Sequence, residues 1–178
     1  MKRRLLSAAL ALVMALGALT TPTLLAVRAI HKRNDAKAVV AYAKHIEPLA
    51  KDGGELVVTE MRPSIKELGA GTLAPEQFRQ YAERWHARFL QIRSGFSAAP
   101  HGGRLQTVAS VYDRSLRLYI SAIDGFVRAS QSSTAEIQSS IAPGIKIAES
   151  ADATYDTASR LLSAEFKRLG LAPIPPAS

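Results

Sequence analysis

Beyond residue 33 the apolar residues of this chain recur at intervals of three and four, the period that gathers them on one side of an α-helix. Four such runs stand out. The first covers about residues 34–69, with Val39, Tyr42, Ala43, Ile46, Leu49, Leu56, Val57, Ile65 and Leu68 on its apolar side and Gly-Ala-Gly at 69–71 closing it. The second, about 75–97, has clean three-four spacing: Phe78, Tyr81, Ala82, Trp85, Phe89, Ile92 and Phe96. A third run, about 104–129, carries a wider apolar arc from Leu105 to Val127. The fourth, about 133–169, runs from Ile137 to Leu169. No alternating strand pattern competes with these, and four amphipathic helices on short connections bury their stripes most simply against one another. The predicted fold is therefore all-α: an antiparallel four-helix bundle with kinked first and fourth helices.

The local signals agree with these limits. Pro75 suits the first position of a helix, where no backbone donor is needed, and Glu76 complements the helix dipole. Ser133 and Glu136 have the spacing of a capping box. Gly170 can adopt the left-handed closing conformation, and Pro-Ile-Pro-Pro beyond it forbids continuation. The predicted kinks come from breakers inside the long runs: Pro48, Gly53 and Gly54 in HIEPLAKDGGELVV (45–58), and Pro143 with Gly144 in the fourth run. Gly53 and Gly144 fall on the apolar spacing, where a missing side chain lets two backbones approach.

Residues 5–27 contain no charge. As a helix at about 1.5 Å per residue they reach about 34 Å, enough for a hydrocarbon core of about 30 Å. The segment is read as an uncleaved signal anchor, with a cleaved signal peptide as the competing reading; no good small-x-small site follows its apolar core. Domain limits follow: 1–30 for the anchor or signal, 31–171 for the bundle, 172–178 for a Pro-rich tail. The charge distribution supports this. The net charge is +8, yet Lys2, Arg3, Arg4, Arg28, Lys32 and Arg33 face no acid within residues 1–33. The 23 Lys and Arg less these six stand against all 15 Asp and Glu, so the body is nearly neutral. Bases flanking an apolar segment point to a bilayer rather than to nucleic acid. The body is expected on the extracytoplasmic side, or secreted if the segment is cleaved.

Candidate chemistry is sparse. Absence of cysteine excludes disulfides, thiolate metal sites and thiol catalysis. The patterns HExxH, GxSxG and GxxxxGK[ST] do not occur. Glu83 and His86 have the spacing of a carboxylate-bridged metal element, but one such element does not make a site. Tyr112, Tyr119 and Tyr155 lie on core spacings and could line a pocket between helices. No cofactor is expected, and no catalytic activity. The plan resembles that of bacterial periplasmic helical bundles, a likeness of architecture that carries no function. The expected function is a membrane-tethered interaction or scaffold protein, held to the lipid bilayer through residues 5–27 and binding another envelope protein. The alternative is a small-ligand sensor or carrier that binds near the Gly/Pro kinks.

Intact-mass measurement of the natively produced chain should return a membrane-associated species that keeps residues 1–29. A mature terminus just past the apolar segment would show that the segment is a cleaved signal.

Overall fold

Each helix limit has a chemical cause. In the computed structural model, which describes the backbone of residues 2–133 and 136–172 and the side chains of 29–133 and 136–172, α1 spans Lys2–Glu55 and passes into a π-helical turn at Leu56–Met61. α2 (Arg62–Gly69), α3 (Pro75–Ala98), α4 (Leu105–Ala129) and α5 (Ile137–Leu169) follow. The described residues contain no strand. Pro75 stands at the first position of α3, and the Ala74 carbonyl accepts from the Phe78 amide at 3.0 Å. At the end of α5, Gly170 has φ 73° and the Leu171 amide donates back to Phe166 O at 3.0 Å, so two carbonyls that the helix would leave open are satisfied. The start of α5 differs from a capping box. The Ser133 hydroxyl donates to the Glu136 carboxylate instead of accepting from a backbone amide, and the helix begins at Ile137.

The chain divides into two units, Met1–Lys37 and Ala38–Ser178. The predicted anchor, residues 5–27, lies outside the residues whose side chains are described, as does the tail from 173. Among the described residues no helix is long and apolar enough to cross a membrane.

Within the second unit every packed pair of helices runs in opposite directions. Phe78, Phe89 and Phe96 of α3 meet Phe126, Tyr119 and Tyr112 of α4 in reverse order. Tyr112 and Ser115 of α4 reach Ser159 and Ala151 of α5. His45 and Asp52 of α1 reach Gly95 and Arg88 of α3. On α2, Arg62 and Gly69 reach Asp152 and Gln138 of α5. The enclosed core is aromatic and branched: Tyr42, Phe78, Trp85, Phe89, Ile123 and Phe126 are all at most 1% exposed. Each large apolar side chain so buried is worth about 1.5–3 kcal/mol.

The breakers fall at defined places. Pro48 and Pro143 are exposed, each on the outer side of its helix. Pro48, Gly53 and Gly54 lie within α1, and the helical register changes just after them: the Arg62 amide donates to Val57 O, five residues back. Pro63 explains the location. It has no amide for the Thr59 carbonyl, and its ring presses on that carbonyl; a widened turn before it relieves both. Gly144 is buried at the α4–α5 seam. A Cβ there would lie 2.6 Å from Phe126 Cε1 and 3.2 Å from Ala122 O. Phe126 is fully enclosed and cannot retreat.

Gly144→Ala should therefore cost about 1–3 kcal/mol of stability in denaturant unfolding, the usual scale of overpacking. Gly54→Ala, whose added methyl meets nothing within 4 Å, should instead gain about 0.5–1 kcal/mol from reduced backbone freedom. Equal effects of the two would contradict this packing.

Candidate functional site

The widened turn leaves a space beside it. The carboxyl end of α1 contributes Leu49, Ala50 and Gly53, and the π-turn contributes Val57 and Val58. Phe89, Ile92 and Phe96 of α3 face them, and Leu116 and Tyr119 of α4 close the back. Asp152 and Tyr155 of α5 and Arg62 of α2 complete the mouth. The cleft holds about 180 Å3 and its walls are mainly hydrocarbon and aromatic. Gly53 and Gly54 keep it open: a Cβ at Gly53 would touch only Ile92 Cδ1, at 3.6 Å, and one at Gly54 would meet nothing within 4 Å.

Polar groups gather at one end. The Tyr119 hydroxyl donates to Asp152 Oδ1. Asp152 Oδ2 accepts from Arg62 Nη2 at 3.2 Å. The Tyr119 ring is fixed by stacking on Phe89, centroids 4.9 Å apart. Behind the cleft, Tyr155 meets Tyr112 edge to face at 5.2 Å, and Tyr112 OH lies 3.2 Å from Ser159 Oγ. Tyr42, wholly buried, has a hydroxyl without a hydrogen-bond partner among the described residues. Burial raises all four of these tyrosines above their ordinary pKa. For Tyr119 the Asp152 carboxylate pushes further in the same direction, and Arg62 opposes it. The hydroxyls are therefore kept protonated, as donors and not as bases.

The structure brings several of the expected residues together. Tyr119, Tyr155, Gly53 and Gly54 share the cleft, and Tyr112 stands directly behind Tyr155. Pro48 and Pro143 face solvent, and Gly144 lies at the α4–α5 seam. Tyr112 and Tyr155 each open a Tyr-Asp-x-x-x-Arg-Leu stretch, so the two copies of that motif meet through their tyrosines. Asp113 holds both Arg117 and Arg93 at 2.7 Å, while Arg160 reaches the Asp156 carbonyl and the Thr157 hydroxyl. Arg62 and Asp152 were not legible as site residues. Their only signal is indirect: Asp152 sits next to Ala151 on a core spacing, three residues before Tyr155, and Arg62 precedes a helix-breaking proline.

Other candidates go elsewhere. His86 Nε2 lies 3.4 Å from Asp124 Oδ1 across the α3–α4 interface, so it faces a carboxylate of the next helix. His45 donates to the Gly95 carbonyl at 3.0 Å, and His101, half-buried in its glycine loop, sets its ring edge-on to Tyr42. The arginines of α3 are engaged: Arg79 with Glu76, Arg88 with Asp52, Arg93 with Asp113, and Arg84 over the Tyr81 ring. A second hollow of about 380 Å3 beside Arg84 and Arg88 is lined by charged groups, of which Arg88 pairs with Asp52 and Glu60 accepts from the Trp85 indole. A groove of about 650 Å3 between α2 and α5 shares Arg62 and Asp152 with the cleft.

No protein-family model, curated protein or solved structure matches this chain.

The tyrosines imply a defined alkaline limit. Their pKa values are raised on folding, so the stability they contribute is complete below the unfolded value of about 10 and is lost as pH climbs beyond it. In an alkaline titration, tyrosinate absorbance from these four residues should rise together with loss of helical circular dichroism. Ionisation well before unfolding would contradict the buried placement.

Proposed function

We propose that this protein is a membrane-tethered, extracytoplasmic four-helix bundle that holds a small, mainly apolar ligand in the cleft beside the π-turn, as a sensor or carrier without catalytic activity. Residues 5–27 supply the tether. The bundle is antiparallel, with its first helix kinked at the widened turn and its fourth near Pro143 and Gly144. The observation that carries the ligand reading is one space lined by Tyr119 and Tyr155 on one wall and by Gly53, Gly54, Val57 and Val58 on the other. Ligand sites are concave, mostly apolar and furnished with a few placed polar groups, and π-turns recur at functional positions. The absence of catalysis rests on the polar groups themselves. Tyr119 and Arg62 occupy both oxygens of Asp152, and among the described residues no nucleophile is paired with a base beside the cleft.

A second reading, a scaffold for another envelope protein, draws on two exposed apolar side chains. Val58 is 59% exposed at the edge of the cleft and Leu90 is 44% exposed on α3. Two residues on different helices make a smaller case than a lined cleft, because scattered surface apolar residues are ordinary.

Equilibrium dialysis of octanol against the full chain in lipid nanodiscs, with empty nanodiscs subtracted, tests the ligand reading. Saturable one-to-one binding is expected, together with its loss in Gly54→Leu, whose side chain would occupy the cleft mouth. Octanol uptake that never saturates, or that Gly54→Leu leaves intact, would remove the cleft as a site.

A further inference from the structure

Arg62 and Asp152 face each other across the mouth of the cleft with very unequal commitments. Both oxygens of Asp152 are used, one by Tyr119 and one by Arg62. Arg62 uses a single donor, at 3.2 Å, of the five that a guanidinium carries. The ion pair is shallow: the two side chains are 62% and 41% exposed, so it is worth about 0–1 kcal/mol and opens at little cost. Lys66, one turn further along α2, lies on the rim of the adjoining α2–α5 groove, which shares Arg62 and Asp152 with the cleft, and has no partner among the described residues. Glu149 lines the facing rim on α5, one turn before Asp152.

We infer that the ligand of this cleft is a medium-chain carboxylate, its hydrocarbon tail against Ile92 and Phe96 and its head taken by Arg62 in place of Asp152. The inference rests on the ligand reading above and adds the chemistry of the ligand. Three observations carry it. Spare donor capacity lies with the cation and not with the anion, so an anionic head gains two parallel N–H bonds where a cationic head must displace Tyr119 or Arg62. Lys66 adds a second positive charge one turn from Arg62, so the two cations together offset the carboxylates of Asp152 and Glu149. At about 30 Å3 per water-sized unit, a cleft of about 180 Å3 takes a tail of roughly six such units, which sets the chain length. Asp152 keeps its hydrogen bond from Tyr119 when Arg62 turns away, so the exchange leaves no buried charge without a partner.

The test compares octanoate, octanol and octylammonium by equilibrium dialysis against the full chain in nanodiscs. Octanoate should bind at least about tenfold more tightly than octanol, the scale of one hydrogen bond to a charged group, and octylammonium more weakly than either. Asp152→Asn keeps an acceptor for Tyr119 and removes the competing charge, so it should tighten octanoate several-fold and leave octanol unchanged. Arg62→Gln should abolish the octanoate preference while octanol still binds, which also shows that the variant is folded. Equal affinities for octanol and octanoate, or a preference for octylammonium, would overturn the carboxylate assignment and leave the cleft standing. Failure of octanol to bind the unsubstituted chain would take down both.

Discussion

The bundle depends on how closely α4 and α5 approach. Among the helices that follow α1 their seam is the most extensive, and it is built from residues that leave room: Gly125 opposite Gly144, and Ser115 opposite Ala151. Even the polar member is put to use, since the Ser115 hydroxyl donates to Ala151 O at 2.8 Å in a fully buried position. With the two backbones this near, Phe126 fills the space over Gly144, and the aromatic row of α3 packs onto Phe126, Tyr119 and Tyr112 of α4. Interiors are packed as densely as organic crystals, so a single methyl at this seam has nowhere to go. The other helices then fit against a platform whose shape is already fixed.

Against that rigid pair, the first helical run is the adaptable element. Pro63 cannot serve the carbonyl four residues back, and the preceding turn widens to Leu56–Met61. The widening places Val57 inward and Val58 outward, in a segment already opened by Gly53 and Gly54. The cleft is the direct consequence, because a widened turn between two glycines and a proline cannot cover α3 as fully as a regular helix does. Structure and prospective function thus meet at a local defect in helical geometry rather than at a cluster of reactive side chains.

Electrostatics divide the chain in the same economical way. The surplus of positive charge brackets the apolar segment 5–27, and the body balances its arginines with carboxylates on neighbouring helices. Most of those pairs are exposed and individually weak, so they set register and solubility more than stability. Arg62 and Asp152 differ from them by position alone: the same kind of exposed pair happens to lie over an apolar cleft, with Tyr119 fixing one of its members.

The all-helical class, the ends of α3 and α4, the close of α5 and most of the residues that face the core were legible in the sequence, because each follows from local rules; the start of α1 at Lys2 and of α5 at Ile137 were not. Apolar periodicity specifies which side of a helix is buried. Proline at a first turn and glycine past a last one specify where it starts and stops. Tyr119, Tyr155, Gly53 and Gly54 were recognisable as inward-facing or small for the same reason. What periodicity cannot encode is which inward faces meet. That Gly144 packs on Phe126, that Pro63 resolves its conflict through a widened turn, and that Arg62 finds Asp152 ninety positions along the chain are outcomes of fitting whole helices together. They depend on distances between elements, which no local pattern contains, and so only the tertiary structure decided them.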